Sequence, residues 1–204
     1  MPVKTVLAIG AHPDDVELGC GATLAKLVAS GVHVRVLVLT EGLCGLQGNY
    51  DRSLETHRAL RRLGVEDIVQ ASLPDTLLQT MATELVSIIE AHCKALQPDR
   101  VYTMFKNDRH QDHRAVYEAS IIACRSVKQI LSYETPSSWP NFMPIFFENI
   151  EHFMEAKIAA LQLHVSQAHR AYMQESQVRC SAQFRGHQVG CGLSEGFIPY
   201  KIVN

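Results

Sequence analysis

Short apolar runs rich in β-branched residues alternate with helical patterns along most of this chain, and that alternation leaves few folds open. Residues 3–10 read as a strand, 20–30 as a helix closed by Gly31, and 32–39 as a second strand with a near-continuous apolar run. An amphipathic helix over 52–63, stopped by Gly64, precedes a strand at 67–71. A long helix over 81–96 ends at Pro98, a strand follows at 100–105, and a helix covers 115–127. Strand, helix, strand, helix predicts an α/β architecture: a Rossmann-like, doubly wound, mostly parallel sheet flanked by helices. The first strand-loop-helix lacks Gly-x-Gly-x-x-Gly, so a dinucleotide site is not expected.

Beyond residue 127 the pattern weakens. Residues 129–134 and 145–150 read as strands, 135–143 as a Pro-punctuated loop holding the one Trp, and 153–167 as a helix. The remainder has no clear period. His164, His169 and His187 lie there and read as surface or hydrogen-bonded residues, with His187, in the loop Arg185-Gly186-His187-Gln188, able to reach a site from the last segment.

Length and composition set the outer bounds. At 204 residues and 47% hydrophobic content, residues 1–204 are expected to form a single domain with a sizeable core. A formal charge of -2 with mixed signs offers no basic track for nucleic acid. No apolar run approaches the ~20 residues of a membrane span, and no secretory leader is visible after Met1. Six scattered cysteines without a Cys-x-x-Cys pair suit a reducing compartment, so the expected localisation is cytoplasmic.

Two loops carry the chemistry. Ala11-His12-Pro13-Asp14-Asp15-Val16-Glu17 follows the first strand, and His110-Gln111-Asp112-His113 lies in the loop after the strand at 100–105. Taken alone, the first reads equally well as a turn made by Pro13 and a helix capped by an Asp. In one parallel sheet, however, both loops leave the same edge and bring three His and three Asp together. Zinc takes imidazole nitrogen and carboxylate oxygen, and a catalytic ion keeps three protein ligands and an open position. His12, Asp15 and His113 satisfy that count. Asp14 is left over to act as general base toward a metal-activated water. His110 would stabilise a tetrahedral oxyanion or protonate the leaving group, and Asp112 would orient one imidazole. The Gly-rich stretch at 40–49, also at a strand's carboxyl end, permits a ligand's close approach, though a plain surface loop looks the same.

Both motifs resemble the signatures of the LmbE/PIG-L family of zinc-dependent N-acetylglucosaminyl deacetylases. The likeness runs on through Thr40-Glu41-Gly42, Arg52-Ser53-Leu54-Glu55, Pro74-Asp75, Gln97-Pro98-Asp99, Tyr133-Glu134, Lys157 with Ser166-Gln167, and Glu195-Gly196-Phe197. It implies His12, Asp15 and His113 as ligands of one zinc per chain, with another divalent metal admitted in the cell, and Asp14 and His110 as the catalytic pair. Arg52 and Asp75, with Glu41 in its matching segment, would contact substrate. Val16 between the Asp pair and Glu17 resembles the bacillithiol-pathway branch, and Asp108 stands where some relatives carry an aromatic residue.

The expected function is hydrolysis of the N-acetyl group of an N-acetylglucosamine-type sugar or conjugate, with a small-molecule partner and neither nucleic acid nor membrane. Hydrolysis of another amide or ester on the same site is the first rival, and a non-catalytic metal- or sugar-binding protein the second. Asp14 and His110 argue against the latter, because a structural zinc takes a fourth protein ligand and needs no base. Relatives that assemble, and the aromatic segment at 139–147, further suggest a homo-oligomer.

Overall fold

A computed structural model describes residues 2–44, 46 and 48–203. Gly45 and Gln47 of the Gly-rich stretch, and the end residues Met1 and Asn204 of the expected domain, lie outside the described residues. The chain folds as β1 (Thr5–Gly10), α1 (Asp15–Ala29), β2 (His33–Thr40), α2 (Arg52–Arg62), β3 (Asp67–Leu73), α3 (Ala82–Leu96), β4 (Arg100–Thr103), α4 (Gln111–Ala123) and β5 (Gln129–Tyr133). Then come β6 (Phe146–Asn149), α5 (Met154–Leu161), α6 (Glu175–His187) and β7 (Ser194–Ile202).

The seven strands stand in the order β3-β2-β1-β4-β5-β7-β6. The first five are parallel, and β7 runs antiparallel to both β5 and β6. Because the chain winds outward from β1 through β2 to β3 and then returns to β4 on the other side of β1, the winding direction reverses between β1 and β4. A crevice opens outside the strand ends at such a reversal, which is where ligands bind in sheets of this kind. The loops leaving β1 and β4 are the two His/Asp loops.

Burial explains the apolar runs. Val6, Leu7, Ala8 and Ile9 of β1 and Val36, Leu37, Val38 and Leu39 of β2 are fully buried, as strands covered on both faces must be. A smaller apolar cluster joins Ala22 of α1, Met154 and Ile158 of α5, and Val178 and Ala182 of α6. The expected helix at 153–167 is in fact α5 followed by a 3₁₀ turn at Val165–Gln167. Residues 175–187 and 194–202, which showed no legible period, form α6 and β7. The aromatic segment divides: Phe142 packs edge-on against Phe105 with ring centroids 5.0 Å apart, while Met143 and Ile145 are exposed.

Helix α1 is broken in the middle. Cys20 has φ −145° and ψ 16°, outside helical space, so the turn around it loses its regular bonds. Side chains repair the gap. Lys157 Nζ donates to the released Leu18 carbonyl (2.6 Å), while the Glu195 carboxylate accepts the N–H groups of Ala22 (3.2 Å) and Thr23 (2.8 Å). Lys157 and Glu195 also pair directly at 2.6 Å, and both are buried. Gly19, just before the break, has no room for a side chain: a Cβ there would overlap the buried Tyr133 ring. The first turn, Asp15 to Gly19, is thereby set at its own angle to the rest of the helix, and it carries the first His/Asp motif.

Candidate metal centre and active site

The two loops meet as their shared edge requires. His12 Nδ1 lies 3.3 Å from Asp15 Oδ2 and 3.3 Å from His113 Nε2, and His113 Nε2 lies 3.3 Å from Asp15 Oδ1. A tetrahedral ion with bonds of about 2.0–2.1 Å has donor-to-donor edges of about 3.3–3.4 Å. Each of the three predicted ligands stands one such edge from the next, Asp15 reaching His12 with Oδ2 and His113 with Oδ1.

Each imidazole is held from behind. His12 Nε2 meets Asp112 Oδ2 at 3.1 Å and Asp75 Oδ1 at 3.0 Å, and Asp112 in turn accepts the N–H groups of Thr76 (2.7 Å) and Leu78 (3.1 Å). On the other side, His113 Nδ1 meets Asp108 Oδ2 at 3.0 Å. Asp108 is fully buried and also accepts the Thr135 hydroxyl (2.6 Å) and the His110 N–H (2.8 Å). Carboxylates behind both imidazoles fix which nitrogen faces inward, toward the triangle. Asp112 has the predicted orienting contact. Asp108, noted in the sequence only because some relatives carry an aromatic residue there, is thus part of the cluster; its signal is a carboxylate five residues before His113, beside a helix start.

Among the described residues, two further donor groupings come together: His12, His110 and His113, and His12, Asp75 and Asp112. The second uses the nitrogen of His12 that Asp112 orients, and Asp112 already spends both oxygens on backbone donors. The first includes His110, whose Nδ1 accepts the Asp112 N–H (3.3 Å) at the start of α4. In the triangle, the two imidazoles turn Nδ1 of His12 and Nε2 of His113 toward each other and toward Asp15, whose Oδ2 also accepts the His12 N–H (2.7 Å).

Helix geometry supplies these positions. α4 begins at Gln111 rather than at residue 115, so Asp112 and His113 sit in its first turn instead of a loop. α1 begins at Asp15 rather than at residue 20. Asp14 occupies the capping position but makes no side-chain cap bond, which disposes of the simple capping reading. Its φ of 87° lies in the left-handed region, a conformation that costs a non-glycine residue about 1–3 kcal/mol and clusters at functional sites.

Asp14 is buried, and Arg52 Nη2 reaches both its carboxylate (3.3 Å) and the Pro13 carbonyl (2.9 Å). Arg52 Nη1 holds the Gly42 carbonyl at 2.7 Å. Gly42 itself has φ 63° with no space for a Cβ against Arg52 and Pro13, so this glycine is needed for the clamp. The residues expected at the substrate have these partners within the chain: Arg52 grips Asp14, Asp75 backs His12 and accepts the Cys44 N–H (3.0 Å), and Glu41 accepts the Ser72 hydroxyl (2.7 Å). His187 ends α6, exposed, with no described contact to the cluster. His164 is fully buried, not at the surface, with Nε2 2.9 Å from Glu17 Oε1. His169 is exposed.

The electrostatics follow from crowding. Burial pushes the Asp14 carboxyl up to about 6, with the neighbouring Asp15 charge adding to it against His164 and Arg52. Burial would also raise Asp15, but the His113 and His12 imidazoles hold it well below the usual carboxylate range. For His12 the carboxylates Asp112, Asp15 and Asp75 more than offset a burial that alone would lower it, and it ends well above the ordinary imidazole value. His113 is likewise brought to about 9 against burial, by Asp15 and Asp108. His110 goes the other way, lowered by burial and by the charges of His12 and His113. Five carboxylates thus converge on three imidazoles, a field that favours a cation in their midst.

Comparison with known proteins agrees with this geometry. Residues 7–124 match the family model described as GlcNAc-PI de-N-acetylase (PIG-L). The chain is 46% identical to the uncharacterized deacetylase YaiS of Escherichia coli over 80% of this chain and 91% of that one. It is 30% identical to the diacetylchitobiose deacetylase of Thermococcus kodakarensis, covering 97% of this chain and 84% of the other. Among solved structures, the N,N'-diacetylchitobiose deacetylase of Pyrococcus horikoshii superposes with a TM-score of 0.80 at 26% identity, over 97% of this chain and 84% of that chain. A 4-carboxy-2-hydroxymuconate hydratase of Pseudomonas putida also shares the fold, with a TM-score of 0.82 at 17% identity over 98% of each chain. The fold alone therefore does not select the reaction, and the side chains must.

Proposed function

This chain belongs to the PIG-L family of de-N-acetylases, and from that premise we propose that it is a zinc-dependent deacetylase removing the N-acetyl group from an N-acetylglucosamine-type sugar conjugate. The observation that carries the reading is the triangle of His12, Asp15 and His113 with a separate, buried carboxylate, Asp14, beside it. A divalent ion held by those three residues would supply Lewis-acid polarisation of the amide carbonyl and would make water acidic near neutral pH.

Asp14 provides the base. A carboxyl raised to about 6 is mostly ionised at pH 7, yet it binds a proton more readily than an ordinary aspartate. Arg52 limits its rotation, so the acceptor oxygen is presented in one direction. As water oxygen bonds to the acetyl carbon, its proton passes to Asp14. His110 then matters at the acetyl oxygen. Its Nδ1 accepts the Asp112 N–H, which assigns the remaining hydrogen of a neutral ring to Nε2, and that hydrogen is a donor for the oxyanion that develops. Collapse breaks the carbon–nitrogen bond, the amine leaves with the proton that Asp14 took from water, and acetate remains.

The test is acetate release from a panel of N-acetyl sugars, with zinc and with a chelator. Asp14→Asn should retain zinc by elemental analysis and lose turnover by roughly 10²–10⁴-fold, the usual weight of a general base. Loss of zinc together with activity would place Asp14 among the ligands. No acetate from any N-acetyl sugar would overturn the deacetylase reading.

A further inference from the structure

Glu17 is the one acid of the first motif that the proposed chemistry leaves unused, and it is fully buried. It lies on the first turn of α1, three residues past Asp14. Its Oε1 stands 2.9 Å from Nε2 of His164, which is fully buried as well. Among the described residues, Glu17 Oε2 and His164 Nδ1 have no hydrogen-bond partner. Buried polar atoms left over in this way need a reason, because paired groups are the rule inside folded proteins.

Helix α2 reaches this corner twice. Through Arg52 it holds the Pro13 carbonyl and the Asp14 carboxylate. Three residues on, Glu55 accepts both the N–H (2.9 Å) and the hydroxyl (2.6 Å) of Ser166, in the 3₁₀ turn that His164 precedes. The Gln167 N–H closes that turn on the His164 carbonyl (2.9 Å), so the imidazole comes to Glu17 from a fixed backbone. Besides burial, the charges of His164, Arg52 and Glu17 all bear on the Asp14 carboxyl, which makes the four groups neighbours. Two buried carboxylates, Asp14 and Glu17, thus share one corner with a guanidinium and an imidazole.

Arg52 has a donor to spare. Its Nη1 is spent on Gly42 and its Nη2 on Pro13 and Asp14, while its Nε, also buried, has no partner among the described residues. A carboxylate cut off from water is strongly destabilised unless a cation or donor meets it. Glu17 without His164 would therefore turn to the guanidinium that aims Asp14. Building on the deacetylase reading, we propose that His164 is a positioning residue for the base: by holding Glu17 it reserves Arg52 for Asp14 and keeps the Asp14 oxygen directed at the attacking water.

Variants of the zinc-loaded protein separate this role from mere packing. His164→Leu keeps most of the bulk and removes the partner of Glu17. His164→Gln returns an amide N–H near the place of Nε2. His164→Leu/Glu17→Met removes both members, a replacement that buried pairs often tolerate. In acetate release from N,N'-diacetylchitobiose, His164→Leu should lower kcat by roughly 10–10²-fold, the cost of misplacing a catalytic group by up to about 1 Å, with KM and zinc content nearly unchanged. His164→Gln and the double variant should recover most of that loss. Parental kcat in His164→Leu, or a double variant that melts like the parent and is no faster than His164→Leu, overturns the proposal. Should His164→Leu not fold, His164→Gln and His164→Asn decide: the shorter Asn falls short of Glu17 and should lose kcat where Gln keeps it, and equal rates in the two overturn the proposal. The Arg52 Nε–H resonance, assigned through Arg52→Lys, gives a readout independent of turnover. It should shift in His164→Leu, as Glu17 comes to it, and return in His164→Gln and in the double variant. If no N-acetyl sugar is deacetylated and the resonance behaves so, the hold of His164 on Glu17 stands and the deacetylase reading falls. A resonance indifferent to His164→Leu removes the proposal whatever the activity.

Discussion

Lys157→Met tests whether the break in α1 is held by side chains, and its cost can be worked out from the contacts. The substitution keeps the length of the stem but removes the cation from Glu195 and the donor from the Leu18 carbonyl, both 2.6 Å away. Leaving one member of a buried ion pair uncompensated costs about 3–5 kcal/mol. For a domain of this size each kcal/mol shifts Tm by roughly 2–4 °C, so the variant should melt roughly 6–20 °C lower. The informative comparison is the double variant Lys157→Met/Glu195→Met. Replacing both members of an ordinary buried pair by apolar residues is often neutral or stabilising. Here the double change would also strip the donor from Leu18 and the acceptor from Ala22 and Thr23, and each orphaned backbone group costs about 1–3 kcal/mol. The double variant should therefore stay destabilised by several kcal/mol in calorimetry or urea melts. A double variant that melts like the parent would show the pair to be dispensable to the helix and refute its role as a splint.

Three other expectations concern the site. His113→Ala should remove most bound zinc, and full occupancy by elemental analysis would show that the ligand set is different. His110→Ala should lower kcat while leaving KM and zinc content nearly unchanged, since its contact strengthens only as the oxyanion forms; a rise in KM alone would make it a substrate-positioning residue. In the metal-free protein, the raised value of His113, about 9 against an ordinary 6.5, means its stabilisation is complete below pH 6.5 and is lost as pH rises through 9. Asp108, pulled to about 2 by His113 against its burial, gives stability present above pH 3.8 and lost as pH falls through 2. Melting of chelated protein should therefore weaken from pH 6.5 to 9, and a flat profile there would contradict the charge pairing around His113.

The parallel half of the sheet was legible because its code is local. β1 and β2 are buried on both faces, so their apolar runs had no competing reading, and the two loops were placed on one edge by the handedness of crossovers alone. The helix starts were missed by four or five residues. At α4 the cap is a histidine, His110, and at α1 the helix begins on an Asp that supports the His12 backbone rather than its own turn. β7 escaped for another reason: it pairs with β5 and β6, far away in sequence, and its inward residues Ser194 and Glu195 are polar. Arg52, expected at the substrate from the family resemblance, also has partners that the sequence does not disclose. Only coordinates reveal that its guanidinium is occupied by Gly42, Pro13 and Asp14.

The position of β7 has a consequence for the order in which this protein can become active. Glu195, which mends α1 between Leu18 and Thr23, comes from the strand that enters the sheet last in sequence yet lies between β5 and β6. On the ribosome, the motif at residues 11–15 emerges early, but its supporting turn lacks an acceptor until some 180 residues later have been made and β7 has inserted beside β5. A nascent or truncated chain lacking residues 194–202 would hold most of the parallel core and still present its His and Asp side chains on an unsplinted turn. Bracing of that turn is then a late event, reached when β7 closes back on α1.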